Sequence, residues 1–427
     1  MHDIRRLREN PDQLRDSLKR KGFDADVTGV LALDDKWRAL TSEADKLKAD
    51  LNAASKAIGE AKKAGRDAAE EMDQARNIRE RAASIDDEKR ELHSKVTDIL
   101  MGWPAEPDAS APEGKTAEDN VTLKEIGEKI VYDFELKEHL EIAETLGILD
   151  MPTGAKISGT GWPLYVGTGA ALERALVNFM LDVQTREHKY TEVFVPFVVN
   201  RASATGTSQL PKFEEDLYRI ESEDFFLIPT AEVPLTNIHA GDILETGSLP
   251  KRYAAYSACF RREAGAHGAD TRGLLRVHQF NKVELVQIVE PEKSEEAQLE
   301  ILSNAEEILT RLEIPYRVID LCAGDMSFGA ARCFDIELWA PGTKSWLEVS
   351  SVSNFKDFQA RRMNLRYRSE KGGKPIYPHT LNGSGLATPR LMVAIIEQYQ
   401  TPEGRIAVPK VLQPYLGGLD QITGVSF

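Results

Sequence analysis

Leu33, Trp37, Leu40, Ala44, Leu47, Leu51, Ala54, Ile58 and Ala61 recur at alternating intervals of four and three residues. That spacing puts them all on one stripe of an α-helix, the seam of a coiled coil. The stripe stops at Lys63-Ala64-Gly65-Arg66. A second runs through Met72, Ala75, Ile78, Ala82, Ile85, Leu92, Val96 and Ile99, with Lys89 intruding. Neither contains proline, which would break a helix. Two helices separated by so short a break can bury their stripes against each other, so the spacing predicts an antiparallel hairpin over about 31–100. At ~1.5 Å per residue, each helix is on the order of 50 Å long. The many alanines allow close approach but bury little area, which makes the pair a stiff projection rather than a core.

Charge limits what such an arm can do. Residues 31–100 hold 14 basic and 16 acidic side chains, while the whole 427-residue chain carries a net −15. That balance argues against broad nucleic-acid binding and leaves a locally basic surface for a phosphate partner. The tip gathers Lys56, Lys62, Lys63 and Arg66, which read either as a solvated end or as a phosphate-contacting arm. No apolar run approaches the ~18 residues needed to span a bilayer. The opening MHDIRRLREN has no apolar signal core. No membrane partner and a cytoplasmic location are therefore expected. Cys259, Cys322 and Cys333 include no CxxC pair, so neither a disulfide framework nor zinc is expected.

Residues 1–25 carry Leu7, Leu14 and Leu18 at helical spacing, and read as a short helix at the base of the hairpin. The run from Pro104 to Gly114, with Pro107 and Pro112, is a linker by composition. Beyond about 160 the pattern is mixed. A helix is expected over 170–184, with Leu172, Leu176, Phe179 and Met180 on one face, and β-structure over 191–199, interrupted by Pro196. Strand-like runs follow at 225–228, 252–260, 282–289, 316–321, 334–339 and 345–350, and helical ones at 293–312 and 387–400. Strands outnumber the helices between them, which argues against βαβ winding and for an α+β body, an antiparallel sheet flanked by helices. There is no internal repeat, Walker loop or Rossmann glycine fingerprint.

Four segments carry candidate chemistry. Phe260-Arg261-Arg262-Glu263 leads into the Gly-rich stretch 264–273 and then Leu274 to Glu284, a strand, loop and strand with arginines at both ends of the loop. A planar guanidinium matches phosphate oxygens bidentately. Glu348-Val349-Ser350-Ser351 places hard oxygen donors at a strand end, a set suited to Mg²⁺. Asn382-Gly383-Ser384-Gly385 opens a helix that carries Arg390 early. Thr230-Ala231-Glu232 sets a hydroxyl and a carboxylate two residues apart, a pair able to hold an ammonium and a hydroxyl. Taken singly, each also reads as an ordinary loop or turn.

Together and in order, these segments resemble the seryl-tRNA synthetases, a class II aminoacyl-tRNA synthetase family. Thr207-Ser208-Gln209-Leu210-Pro211-Lys212-Phe213 and His278-Gln279-Phe280 add to the match, as does the N-terminal hairpin, so the resemblance covers essentially the whole chain. Three departures are visible: Ala269 where many relatives carry Arg, Asn281 for a frequent Asp, and Val352 for a frequent Cys.

The resemblance implies a tRNA-binding domain over 1–103 and a catalytic domain over 104–427 that includes a linker over 104–126. It implies activation of L-serine with ATP and transfer of serine to tRNA(Ser), and to tRNA(Sec) where the organism makes it. Arg261, Glu348 and Arg390 are the implied catalytic residues. Thr230, Ala231, Glu232, Arg261, Glu284, Asn382 and Ser384 are implied for serine. Arg261, Arg262, Glu263, Val277, Phe280, Glu348, Val349, Ser350, Ser351 and Arg390 are implied for ATP. Glu348 and Ser351 would hold Mg²⁺, and Lys56, Lys62, Lys63 and Arg66 would meet tRNA. A homodimer is implied through the 170–184 helix and the Pro196 region. Two other readings compete: a paralogue that charges a non-tRNA acceptor, which would not need the arm, and a non-catalytic binding protein, which would not need Arg261, Glu263, Glu348 and Arg390 together.

Overall fold

A computed structural model describes residues 1–264 and 272–426. The chain divides into two compact units. One comprises His2–Lys19 and Phe23–Pro104; the other comprises the chain from Ala105 onward, with Met1 and Arg20–Gly22.

The first unit is helical. Residues 1–25 form two helices rather than one, α1 (Ile4–Glu9) and α2 (Pro11–Arg20), because Pro11 supplies no N–H to continue α1 and starts α2 instead. Leu7, Leu14 and Leu18 are buried as their spacing requires. The hairpin is α3 (Val27–Lys63) and α4 (Ala69–Met101). Asp26 caps α3 by accepting a hydrogen bond from the Gly29 N–H at 2.8 Å. The turn closes on Gly65, which takes φ +65°, and on the Arg66 N–H donating to the Ala61 carbonyl at 2.9 Å. Every α3 seam position from Leu33 to Ile58 is half-buried, and Ala61 is fully buried. On α4 the seam runs through Ala75, Ile78, Ala82, Ile85, Leu92 and Val96. At its two ends Ala68 and Leu100 take the buried places, leaving Met72 and Ile99 exposed. Lys62 and Lys63 occupy the last turn of α3, where cations also offset the helix dipole.

The second unit is built on an eight-stranded sheet. Its strands are β1 (Val121–Ile126), β2 (Thr191–Glu192), β3 (Lys251–Phe260), β4 (Gln279–Val289), β5 (Tyr316–Asp320), β6 (Arg332–Ala340), β7 (Ser345–Asn354) and β8 (His379–Ala387), in the order β1-β5-β6-β7-β8-β4-β3-β2. All neighbours are antiparallel except β2 with β3. The helices Thr168–Asp182, Ser294–Arg311 and Thr388–Gln398 contribute Leu172, Leu176, Ile301, Ile308, Leu391 and Ile395 to the core with Val283, Leu285, Val318 and Ile336 of the sheet. This is the α+β architecture expected.

Two expectations change, and the strand expected at 225–228 falls outside the main sheet. Residues 121–126, expected as linker, form edge strand β1, in which every residue is exposed. Residues 225–228 give the short strand Phe225–Leu227, which pairs in a separate three-stranded sheet with Val198–Asn200 and Arg219–Ile220. The segment 380–387, expected as a loop leading to a helix, is central strand β8. A Cβ on Gly383 would come within 2.4 Å of Ile301 Cγ2. The glycine is there to let a helix pack close on the sheet, not to make a loop. The helix Thr168–Asp182 buries its apolar face in its own unit, while Phe194, two residues before Pro196, stays 83% exposed.

Candidate active site

Strand β4 sets the floor of the site. Phe280, Lys282 and Glu284 alternate along it and so share one face. Neighbouring β8 brings Asn382 and Ser384, β7 brings Glu348 and Ser351, and Arg261 follows the end of β3. These strands wall a cleft of about 820 Å³. It is lined by Thr230, Glu232, Arg261, Glu263, Val277, Phe280, Glu348, Val349, Ser351, Asn382, Ser384 and Arg390 among the expected residues.

Four expected residues do not line it. Ala231 and Glu284 are fully buried and do not reach its surface. Ser350 turns away, and its hydroxyl donates to the Ser384 carbonyl at 2.7 Å. Arg262 lies at the exposed rim and donates to the Glu215 carbonyl at 3.1 Å. Of the Gly-rich stretch, residues 265–271, Ala269 included, lie outside the described residues. Asn281 binds Glu173 at 2.8 Å and Val352 is in the core, so neither departure touches the cleft.

One end of the cleft is a polar cage. The Glu284 carboxylate accepts from Thr230 Oγ1 at 3.1 Å and from Asn382 Nδ2 at 2.9 Å. Lys282 pairs with it and donates to Thr230 Oγ1 at 2.8 Å. Sequence reasoning missed Lys282, although its place between Phe280 and Glu284 was readable from strand alternation. Asn382 Oδ1 is buried and has no partner among the described residues, which leaves an acceptor ready for a substrate donor. Glu232 accepts from Gln359 Nε2 at 2.7 Å. Burial, and then the charge of Glu284, push its carboxyl up to about 7. A substrate donor entering this cage would meet Asn382 Oδ1 and the Glu232 carboxylate, both on the cleft lining.

The other end is built for a polyanion beside an aromatic ring. The Arg261 guanidinium lies 5.1 Å from the centre of the Phe280 ring. Arg390 donates to the Glu348 carbonyl at 2.7 Å and to the Leu275 carbonyl at 3.3 Å. Glu263 takes the uncommon backbone φ of +51° and pairs with Arg276 at 2.6 Å. Glu348 and Ser351 offer hard oxygens. Behind them, burial and then the Glu348 charge raise the Asp335 carboxyl well above its ordinary value. Among the described residues no three His, Cys, Asp or Glu side chains cluster closely enough to cage a metal alone. This donor set fits a magnesium ion that completes its shell with phosphate oxygens and water. The tip residues Lys56, Lys62, Lys63 and Arg66 belong to the other unit and are exposed.

An antiparallel sheet that floors such a cleft, with one arginine just after β3 and another on the helix after β8, defines a class II aminoacyl-tRNA synthetase. Residues 212–399 match the tRNA synthetase class II core domain (G, H, P, S and T), and residues 1–107 match the seryl-tRNA synthetase N-terminal domain. The serine–tRNA ligase of Chlorobaculum parvum is 50% identical over 98% of this chain and 99% of its own. That of Listeria welshimeri is 49% identical over 99% of each. Among solved structures, seryl-tRNA synthetase from Pyrococcus horikoshii complexed with ATP superposes with a TM-score of 0.93 at 37% identity, covering 100% of both chains. The cytoplasmic enzyme of Naegleria fowleri in complex with AMP gives 0.85 at 30%, covering 97% of this chain and 96% of its own. The chain belongs to the seryl-tRNA synthetase family. No helix among the described residues is long and apolar enough to cross a membrane.

Proposed function

We propose that this chain activates L-serine with ATP, forming seryl-adenylate and pyrophosphate, and then transfers serine to the 3′ end of tRNA(Ser), and of tRNA(Sec) where the organism makes it. The observation that carries the reading is the convergence of Arg261, Glu348 and Arg390 with the Thr230–Glu284–Asn382 cage in one cleft.

The serine carboxylate attacks the α-phosphorus in line, and pyrophosphate leaves. No protein nucleophile is required, so catalysis is positioning and charge stabilisation. Arg261 bridges the carboxylate and the α-phosphate. Phe280 and Arg390 sandwich the adenine, and Glu263 and the Val277 backbone read its edge. Glu348 and Ser351 would hold Mg²⁺, whose charge offsets that of the phosphates. Glu232, Glu284, Asn382 and Ser384 take the serine ammonium and hydroxyl. Alanine would leave these buried acceptors unpaired and is rejected strongly; threonine is excluded only by the space for its methyl group.

In this reading residues 1–103 form a tRNA-binding domain, whose exposed Lys56, Lys62, Lys63 and Arg66 meet phosphates, and residues 104–427 are catalytic. Confining phosphate contact to the tip and the cleft mouth reconciles the net charge of −15 with a tRNA partner. In this reading the chain is a homodimer through the 170–184 helix and the Pro196 region, beside which Phe194 is exposed. The reaction belongs in the cytoplasm with its tRNA. The test is ATP–pyrophosphate exchange across the twenty amino acids, followed by charging of total tRNA. Exchange with serine alone is expected; no exchange with any amino acid would refute the reading.

A further inference from the structure

Behind the ATP side of the cleft lies a buried imidazole–carboxylate pair that has no part in the chemistry above. His139 and Glu397 are 1% and 0% exposed, and His139 Nδ1 is 3.1 Å from Glu397 Oε1. The same carboxylate oxygen accepts from the His139 backbone N–H at 3.0 Å. The other oxygen accepts from the backbone N–H groups of Gly342 and Thr343 at 2.9 and 3.0 Å, in the turn between β6 and β7. On the far side of the ring, the Leu274 N–H points at His139 Nε2 at 3.3 Å. A backbone N–H can only donate, so Nε2 carries the lone pair and Nδ1 the hydrogen that goes to Glu397. The contact is close: Gly273 takes φ +59°, and a Cβ there would come within 2.4 Å of Nε2.

The pair joins three elements that each carry part of the expected ATP site. Leu274 begins the cleft wall Leu274–Val277. Glu397 lies on the helix Thr388–Gln398 that carries Arg390, and the Leu275 carbonyl already accepts from Arg390 Nε. Thr343 leads into β7 and Glu348. We propose that His139 is a positioning residue for ATP, its Nε2 lone pair holding the wall Leu274–Val277 in register with Arg390. The proposal rests on the adenylate-forming reading above.

Two substitutions separate the two sides of the ring. In H139N the side-chain amide can still donate to Glu397 but no longer reaches Leu274. In H139Q the longer amide can present its oxygen to the Leu274 N–H and gives up the Nδ1 contact. Serine-dependent exchange, with ATP and serine varied in turn, is measured for both variants and the unaltered protein, alongside thermal melting. H139N should raise the KM for ATP about tenfold, leave the KM for serine and the melting temperature near those of the unaltered protein, and be largely rescued in H139Q. An unchanged KM for ATP in H139N overturns the proposal. So does a uniform loss of all constants together with a lowered melting temperature, or an H139Q no better than H139N. Absence of exchange in the unaltered protein would instead refute the reading on which it rests, and the proposal with it.

Discussion

Lys282 and Glu284 stand two residues apart on one face of β4, ammonium against carboxylate, both buried, with Lys282 at the floor of the cleft. Removing one partner leaves the other as an uncompensated buried charge, typically at a cost of ~3–5 kcal/mol. Lys282→Met should therefore destabilise the protein, toward the lower end because Thr230 and Asn382 still donate to Glu284. Adding Glu284→Gln should restore much of that loss. Denaturant melts of the two singles and the double check it, and strictly additive losses would show that the pair is not coupled.

In the proposed reading, Glu232 should make serine binding depend on pH. Its carboxyl is pushed up to about 7, first by burial and then by Glu284. Below that value it is neutral and offers no charge to an ammonium; above it, it is anionic. Serine keeps its ammonium throughout this range, so only the protein side changes. The KM for serine in exchange should fall about tenfold as the pH rises from about 6 to about 8. Glu232→Gln should flatten the profile. A KM that rises over this range would contradict the assignment.

Among the described residues the Arg261 side chain is held lightly, by one 3.4 Å hydrogen bond to the Pro229 carbonyl and by its contact with Phe280. Arg261→Ala should leave melting nearly unchanged and cut adenylate formation by about 10²–10³, the scale of losing a transition-state donor. Near-normal turnover would remove the residue from the reaction.

Excising 40–90 and rejoining the two helices by a short turn should leave serine-dependent exchange largely intact and abolish tRNA charging, because the cleft residues all lie beyond Ala105. Normal charging by the shortened protein would disprove the role given to the arm.

What the sequence made legible follows from how local each signal is. The hairpin was readable because a seam of alternating fours and threes has one simple solution, and its slips, Met72 and Ile99, fall at the helix ends where the stripe drifts. The sheet interior was readable where apolar residues outline it. Edge strand β1 was not, because all its residues are exposed and it has no alternation to detect. Most of the cleft was visible as ordered motifs. The Lys282–Glu284 pair is local, two residues apart on one strand face, and was readable from alternation; the His139–Glu397 pair spans positions 258 apart, beyond any local pattern.

Strand β8 gives the sharpest case, since Gly383 and Gly385 suggested a loop and the chain is fully extended there. Gly383 is flanked by Asn382 and Ser384, whose side chains face the cleft, so its own Cα points at the helix behind the sheet. A methyl at that position would meet Ile301 Cγ2 at 2.4 Å and Val352 Cγ2 at 3.1 Å. Overpacking of this kind costs about 1–3 kcal/mol, through a shift of either the helix or the strand. Gly383→Ala should therefore lower stability by that amount and, if the strand yields, weaken serine binding more than ATP binding, because Asn382 and Ser384 move with it. Melting curves and separate KM values for serine and ATP distinguish the cases. If stability and both KM values stay unchanged, Gly383 does not set the spacing between the helix Ser294–Arg311 and β8.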